Sequence, residues 1–230
     1  MIVSFNSKDI LYEDNHLIVV NKKAGLLVQN DITGDKSLVD FIKEYIKLKY
    51  NKPGNVFLGV THRIDRPTSG IVIFTKTSKS LKRLNKEFKE RKILKKYIAI
   101  TEKNKHLNSG KLENWIIKNS KQNKSYIHPK KIPGSKKAKL DYLLIKKLKN
   151  YLVFNIKIET GRHHQIRAQL SNIGLTIKGD LKYGSKRSNK DGSIDLHSHE
   201  VVFNHPISKD KIKIKAPTPK KQPWNSFLCD

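Results

Sequence analysis

The stretch THRIDRPTSG, residues 61–70, places one carboxylate, Asp65, between Arg63 and Arg66 and close to His62. Arginine within a few ångströms keeps a carboxylate charged even when it is partly buried. A charged carboxylate that is shielded from water can act as a covalent nucleophile. A turn aspartate that pairs with neighbouring arginines explains the same residues. From this stretch alone, both interpretations stay open.

A second stretch that could carry chemistry is ETGRHHQIRAQL, residues 159–170. Its spacing predicts a helix that begins at the glycine and places His163 and His164 on one side with Arg167. A buried arginine requires a counter-charge, for which the candidates are Glu159 and Asp65. The alternative is an amphipathic helix whose arginine extends into solvent.

Tyr97 lies in KKYIAI, a segment of strand type that follows a lysine-rich helix pattern. A tyrosine in such a position is commonly part of a core, with its hydroxyl group on a polar partner. Beside a basic patch, the same ring can stack on a nucleic-acid base. Tyr97 is therefore a candidate for either role.

The histidines raise the alternative of a metal site. His197, His199 and Glu200 lie close together in a strand-like segment, and two further histidines are adjacent in the second stretch. No spacing supplies a clear third ligand, and adjacent histidines point in different directions. Cys229 is the single cysteine, which excludes an intramolecular disulfide and a cysteine-based zinc site. The sequence therefore predicts no metal site.

The net charge of +28 over 230 residues points to a polyanionic partner, above all a nucleic acid. Lysine outnumbers arginine 41 to 7, a skew typical of AT-rich genomes, so part of this charge reflects composition rather than binding. The skew makes the arginines informative, because lysine cannot replace a planar bidentate donor. Four of the seven arginines fall in the two stretches: Arg63, Arg66, Arg162 and Arg167.

The hydrophobic pattern predicts more strands than helices. Helices are predicted from Ser37 and from Ser78, each in an N-cap position. Residues 103–139 are predicted to form long basic loops and a hairpin, and GDLKYGS a turn-rich loop. Because strands and helices do not alternate regularly, we expect an α+β fold: a single domain over residues 1–230, with a central mixed, mainly antiparallel β-sheet flanked by helices and loops.

The first residues, MIVSFNSKDILYED, include acidic side chains where a secretory signal needs an apolar run. No segment approaches the ~20 apolar residues that cross a membrane as a helix. We therefore expect a soluble protein located in the cytoplasm.

Together these segments resemble the pseudouridine synthases of the RluA/RluD class. LYEDNHLIVVNKKAG is similar to the N-terminal motif of the class, and THRIDRPTSG to its catalytic loop. TGRHHQIRAQLSNIGLTIKGDLKYG is similar to its third motif, and IDLHSHEVVFNHP to the strand that follows. The resemblance extends over about residues 10–215. One departure is Lys23, which occupies the usual proline position of an NKPAG turn.

The resemblance implies a role for each matching residue. Asp65 would attack the target nucleotide and release uracil from its ribose, after which the base reattaches through carbon 5. Arg167 would pair with Asp65 and keep it charged, while Tyr97 would stack on the target base. Arg63 would fill the gap left by the flipped-out uridine, and Leu196 would line the base pocket. Further residues expected to bind substrate are His62, Arg66, Arg162, His164 and Gln165.

The resemblance also implies an RNA substrate and a reaction that needs no metal or cofactor. We expect one catalytic domain without a separate N-terminal RNA-binding module, acting as a monomer on a stem-loop of ribosomal or transfer RNA. The alternative is a non-catalytic RNA-binding or ribosome-assembly protein on the same fold. A metal-dependent hydrolase is a third, more distant interpretation.

Overall fold

The computed structural model describes residues 4–103 and 107–228, except for the side chain of Leu228. Cys229 lies outside the described residues. The strands are β1 (Ile10–Glu13), β2 (Leu17–Lys22), β3 (Gly59–Val60), β4 (Ser69–Thr75), β5 (Leu94–Glu102), β6 (Ser109–Asn119), β7 (Lys124–His128), β8 (Lys136–Lys147), β9 (Tyr151–Ile158), β10 (Leu196–Asn204) and β11 (Lys211–Lys215). The α-helices are α1 (Leu38–Lys49), α2 (Ser78–Lys89), α3 (Gln165–Asn172) and α4 (Trp224–Leu228). None of the helices in these ranges is long and apolar enough to cross a membrane.

The chain divides into two compact units. The first unit comprises Met1–Leu94 and Ser198–Thr218, and the second comprises Lys95–His197 and Pro219–Asp230. Helices and mainly antiparallel strands make up both units, which confirms the predicted α+β class. That residues 1–230 act as one catalytic domain stays a prediction.

In the first unit, β2 pairs antiparallel with both β1 and β4, and β3 pairs antiparallel with β4. Every residue of β4 is buried, as expected for a continuous run of apolar and small side chains. Leu17, Ile71 and Phe203 belong to one apolar cluster, to which α2 contributes Leu84. A packed apolar core therefore fixes β2 and β4.

In the second unit, the antiparallel strands follow the order β5, β9, β8, β6, β7. The prediction of loops for most of residues 103–139 is wrong, because β6, β7 and the start of β8 occupy this region. Exposure alternates along β6 and β8, as expected for strands with one polar face. Lysine and asparagine on that face obscured the alternation in the sequence.

The predicted helix starts have different outcomes. Ser37 is the N-cap of α1, as predicted, and its amide and hydroxyl groups both donate to Asp40. The N-cap of α2 is Thr77 rather than Ser78, since the Thr77 hydroxyl oxygen accepts a hydrogen bond from the Ser80 amide at 3.3 Å. The prediction for Ser78 is therefore wrong by one residue.

A half-buried carboxylate joins β1, α1 and the residue that follows β4. Glu13 accepts hydrogen bonds from Tyr45 at 2.9 Å, from Lys49 and Tyr50 at 2.8 Å each, and from Lys76 at 3.1 Å. Burial alone would raise the pKa of Glu13, but the four donors together lower it to about 2. Ionised Glu13 therefore stabilises the first unit.

We predict that Glu13→Gln lowers the free energy of unfolding by about 2 kcal/mol at pH 7. The folded-state pKa of Glu13 lies below its ordinary value of 4.5, so the contribution of Glu13 to stability is complete above pH 4.5 and is lost as the pH falls towards 2. We expect urea unfolding to show that the difference in free energy of unfolding between the wild type and Glu13→Gln becomes smaller from pH 7 to pH 3.

The control is Glu90→Gln, which removes an exposed ion pair with Lys92 and should leave the free energy of unfolding nearly unchanged. A stability difference for Glu13→Gln that is as large at pH 3 as at pH 7 would contradict the prediction.

Candidate active site

Asp65 lies on the loop between β3 and β4, where the sequence predicted it. Its side chain is half-buried, and its carbonyl oxygen accepts a hydrogen bond from the Thr68 amide at 3.0 Å, which closes a tight turn. At the start of the loop, the Thr61 hydroxyl group donates to the Ile73 carbonyl oxygen at 2.7 Å. The start of the loop is thus fastened to β4, and the turn from Asp65 to Thr68 leads directly into that strand.

A fully buried ammonium group donates a hydrogen bond to the loop between β3 and β4, residues 61–68, which we call the Asp65 loop. Lys22, the last residue of β2, is 1% exposed, and its Nζ donates to the carbonyl oxygens of Lys23 (3.0 Å), Leu26 (2.8 Å) and Arg66 (3.1 Å). The Gly25 amide also donates to the Arg66 carbonyl oxygen at 2.8 Å. Three acceptors match the three N–H donors of an ammonium group, so Lys22 joins the turn after β2 to the residue next to Asp65.

The charge of Lys22 is coupled to that of Asp65. Burial lowers the pKa of Lys22 to about 7, the Asp65 carboxylate opposes this change, and Arg66 adds to it. Sequence reasoning missed Lys22, although a lysine at the end of the apolar run LIVVNK is an available signal, since lysine is rarely fully buried without partners.

The other candidates on this loop differ in exposure. The Arg66 guanidinium group pairs with Asp35 at 2.8 Å and is about half exposed, and the Arg63 side chain is exposed. His62 Nε2 accepts a hydrogen bond from the Ile73 amide at 3.1 Å, which fixes the ring orientation. Their contacts with substrate stay predictions.

In the second unit, the predicted helix start is wrong. Helix α3 begins at Gln165, because His164 adopts a left-handed conformation with a φ of 52°. His163 therefore does not share a helical face with Arg167. The Gln165 side-chain oxygen accepts hydrogen bonds from the Arg162 amide at 3.0 Å and the Thr160 hydroxyl group at 2.7 Å, which holds the turn before the helix.

Three predicted substrate-binding residues also make contacts within the second unit. Arg162 Nε donates to the Lys137 carbonyl oxygen at 3.0 Å, and Gln165 Nε2 donates to the Lys139 carbonyl oxygen at 3.0 Å. His164 Nδ1 lies 3.1 Å from the Tyr183 hydroxyl oxygen. The bonds of Arg162 and Gln165 fasten the turn before α3 to β8, and His164 contacts Tyr183 instead. Binding of RNA by the same residues stays a prediction.

Arg167 forms a buried bidentate ion pair with Asp180. Nε lies 2.7 Å from Oδ2 and Nη2 lies 2.8 Å from Oδ1, with the two side chains 6% and 1% exposed. Sequence reasoning considered Asp65 and Glu159 as counter-charges and missed Asp180, which lies in the stretch GDLKYGS. An ion pair between Arg167 and Asp65 stays a prediction.

The remaining candidates are buried side chains at strand positions. Tyr97 lies on β5 opposite Ile156 of β9 and is 7% exposed, and Leu196 begins β10 and is 3% exposed. His197 packs against Trp224, with ring centroids 5.8 Å apart. Among the described residues, no group of three His, Cys, Asp or Glu side chains could hold a metal ion. A reaction without metal or cofactor stays a prediction.

Residues 16–172 match the family model described as RNA pseudouridylate synthase. The ribosomal large subunit pseudouridine synthase C of Buchnera aphidicola subsp. Schizaphis graminum is 32% identical over 219 residues, which cover 91% of this chain and 67% of that protein. Ribosomal large subunit pseudouridine synthase D of Borreliella burgdorferi is 35% identical over 208 residues, which cover 89% of this chain and 63% of that protein. The chain thus spans about two thirds of the length of these relatives.

Solved structures show the same fold. The human RNA pseudouridylate synthase domain containing 4 has a TM-score of 0.79 at 20% identity, covering 93% of this chain and 90% of that chain. The human RNA pseudouridylate synthase domain containing 1 has a TM-score of 0.71 at 22% identity, and the match covers 94% of this chain and 87% of that chain. At these identities the likeness concerns the fold alone.

We predict that Asp65→Asn lowers the pKa of Lys22 below its value of about 7, because the substitution removes the charge that opposes the effect of burial. Titration of ¹³Cε-labelled lysine by NMR measures this pKa directly. Glu90→Gln serves as the control, since it removes a carboxylate paired elsewhere, with Lys92. An unchanged pKa of Lys22 in Asp65→Asn would show that the two groups do not interact.

Proposed function

Because the chain belongs to the RNA pseudouridine synthase family, we propose that it isomerises specific uridines of ribosomal RNA to pseudouridine. The observation that carries the proposal is Asp65 itself, a half-buried carboxylate on a loop that a buried ammonium group fastens in place. Family membership favours this function over a non-catalytic RNA-binding protein. The two bacterial relatives are ribosomal large subunit pseudouridine synthases, which favours ribosomal RNA over transfer RNA as the substrate.

In the proposed reaction, an Asp65 carboxylate oxygen forms a covalent bond to the target nucleotide. The bond between N1 of uracil and C1′ of the ribose breaks, the base turns, and a bond forms between C5 and C1′. The bond between Asp65 and the nucleotide breaks as well, which regenerates the free carboxylate. The proton on C5 is lost and N1 gains one, so the product has the same atoms as the substrate. Arg167 is the cationic partner of Asp65, and Tyr97 stacks on the base.

A uridine in a stem-loop must leave the base stack before Asp65 can reach it, at a cost of a few kcal/mol. The exposed guanidinium group of Arg63 suits the proposed insertion into the gap, and the buried Leu196 suits an apolar wall beside the base. The turn residues of the second stretch, Arg162, His164 and Gln165, are proposed to contact the flanking RNA. These contacts would offset the cost of base flipping.

Phosphate contacts are proposed for two lysine-rich surfaces. The exposed lysines of α2 are Lys79, Lys82, Lys86 and Lys89, and those of the β6–β8 region are Lys111, Lys118, Lys121, Lys130, Lys131, Lys136 and Lys147. Lysine contacts with phosphates bind RNA without regard to sequence and weaken as salt concentration rises.

The double variant Lys82→Gln/Lys86→Gln should bind ribosomal RNA transcripts more weakly and lower the slope of log K against log salt by about 2, or about 1 per lost phosphate contact. The matched control is Lys43→Gln/Lys47→Gln, two exposed lysines with the same spacing on α1. Filter binding between 50 and 300 mM salt, roughly the range where such slopes are resolved, measures both. Equal slopes for the two double variants would show that α2 is not part of the RNA-binding surface.

The function is tested by incubating the protein with unmodified ribosomal and transfer RNA transcripts and separating the nucleosides after digestion. We expect pseudouridine in the ribosomal transcript and none with Asp65→Asn, which should bind RNA within about twofold of the wild type. Pseudouridine in the transfer RNA transcript alone would show that the substrate is transfer RNA rather than ribosomal RNA. Absence of product from both, with binding retained, would favour the non-catalytic alternative.

We also propose that the protein acts in the cytoplasm as a monomer without metal or cofactor. Chelator should leave product formation unchanged, and sedimentation should give the mass of one chain, 26.5 kDa. Loss of activity with chelator and its recovery with a divalent cation would contradict the metal-free reaction.

A further inference from the structure

Asp195 is a fully buried acid of the second unit to which the proposed chemistry assigns no role. Its side chain is 0% exposed, and it directly precedes Leu196, the first residue of β10. Burial raises the pKa of Asp195, and the Lys178 ammonium group opposes that change. A buried carboxylate is costly unless charged or hydrogen-bonding partners compensate for the lost water. The partners of Asp195 therefore indicate what this acid holds together.

The Asp195 carboxylate joins three other side chains of the second unit. Its Oδ2 lies 3.0 Å from Nζ of Lys178. Its Oδ1 accepts hydrogen bonds from Nδ2 of Asn189 at 3.2 Å and from the indole Nε1 of Trp224 at 3.0 Å. Lys178 also donates a hydrogen bond to the side-chain oxygen of Asn189. These four side chains form one connected network, which we call the Asp195 network.

The backbones of Lys178 and Asp195 are bound to each other and to β5. The Asp195 amide donates to the Lys178 carbonyl oxygen, the Lys178 amide to the Ile100 carbonyl oxygen, and the Ile100 amide to the Asp195 carbonyl oxygen, each at 2.9 Å. The three residues thus form a closed ring of backbone hydrogen bonds. The ion pair between Lys178 and Asp195 joins two members of this ring a second time, through their side chains.

Trp224 connects the Asp195 network to the C-terminal helix. It is 1% exposed and belongs to an apolar cluster with residues of β5 and β9. Its ring also packs against His197, with the ring centroids 5.8 Å apart. Helix α4 has five residues, too few to be stable in isolation. Its position therefore depends on Trp224 and on the acceptor that Asp195 supplies to the indole.

Leu196 lies between two anchored residues. Asp195 precedes it, and His197, which contacts Trp224, follows it. In the proposed function, on which this inference rests, Leu196 forms an apolar wall beside the target base. A displacement of about 1 Å in a group that positions the substrate can cost about 100-fold in rate, although the reacting groups are unchanged. The anchors of Leu196 therefore matter for turnover.

We propose that Asp195 is a positioning residue: by binding Lys178 and Trp224, its carboxylate fixes the start of β10 and with it Leu196. Asp195 itself does not contact the substrate. Its loss therefore slows the conversion of bound RNA and leaves the affinity for RNA unchanged.

The first test measures single-turnover rates and RNA affinity with the ribosomal transcript, at a temperature where the compared variants are folded. Asp195→Leu removes every acceptor of the side chain and should lower the rate by about 100-fold with affinity unchanged. Asp195→Asn keeps an oxygen for the Trp224 indole and should lower the rate by about tenfold, and it replaces Asp195→Leu in the test if that variant does not fold.

The matched control is Asp191→Asn, which removes an acid just before β10 that is about half exposed and pairs with Lys221. This control should keep the wild-type rate. A rate within about twofold of the wild type for a folded Asp195 variant would overturn the proposal.

The second test determines whether Asp195 acts through Leu196. Asp195→Asn, Leu196→Ala and the double variant are compared in the same assay. Because residues that act through one another have non-additive effects, Asp195→Asn should change the rate by less than about twofold once the Leu196 side chain is removed. Losses that multiply in the double variant would show that Asp195 acts independently of Leu196, which would overturn the proposal.

The third test needs no RNA. The chain has two tryptophans, so Trp115→Phe assigns both indole N–H signals in a ¹H–¹⁵N NMR spectrum. We expect the Trp224 signal to exchange slowly with solvent in the wild type and in Asp191→Asn, and rapidly in Asp195→Leu. Equal exchange in all three proteins would overturn the proposal. Absence of product from the wild type would instead contradict the proposed function, and the NMR result would still show whether Asp195 fixes Trp224.

Discussion

The arrangement of the Asp65 loop depends on one buried charge, the ammonium group of Lys22. With 1% exposure, this group can exist in the core only because three carbonyl oxygens accept its hydrogen bonds. One of those carbonyls belongs to Arg66, the residue after Asp65. The apolar core that fixes β2 and β4 therefore also fixes the loop, since Lys22 ends the buried strand β2 and Ser69 begins β4.

A second buried cation, Arg167, follows the same principle in the second unit. The Arg167 guanidinium group donates hydrogen bonds to the two carboxylate oxygens of Asp180, whereas the Lys22 ammonium group donates to backbone carbonyl oxygens. In both cases the buried cation has hydrogen-bond acceptors within its own unit of the chain.

The sequence predicted elements whose patterns are local. The apolar runs of β2 and β4 and the serine before α1 have clear signals, and the loop that carries Asp65 followed from them. It did not predict Asp180 as a partner of Arg167, because 13 positions separate them and a turn-rich stretch gives no indication of what its aspartate contacts. The helix start at Gln165 was also missed, since His164 adopts a left-handed conformation that no spacing rule anticipates. Long-range ion pairs and side-chain caps of this kind are properties of the folded chain.

The most direct test of this arrangement is hydrogen–deuterium exchange in Lys22→Met, measured at the amides of Gly25 and Thr68. These amides donate to the carbonyl oxygens of Arg66 and Asp65. We expect exchange at both to accelerate by at least about tenfold, equivalent to about 1.4 kcal/mol of lost local stability, while amides of α2 keep their protection. We also expect the variant to lose turnover although Asp65 is present. Unchanged protection at both amides would contradict the conclusion that the buried ammonium group holds the Asp65 loop in place.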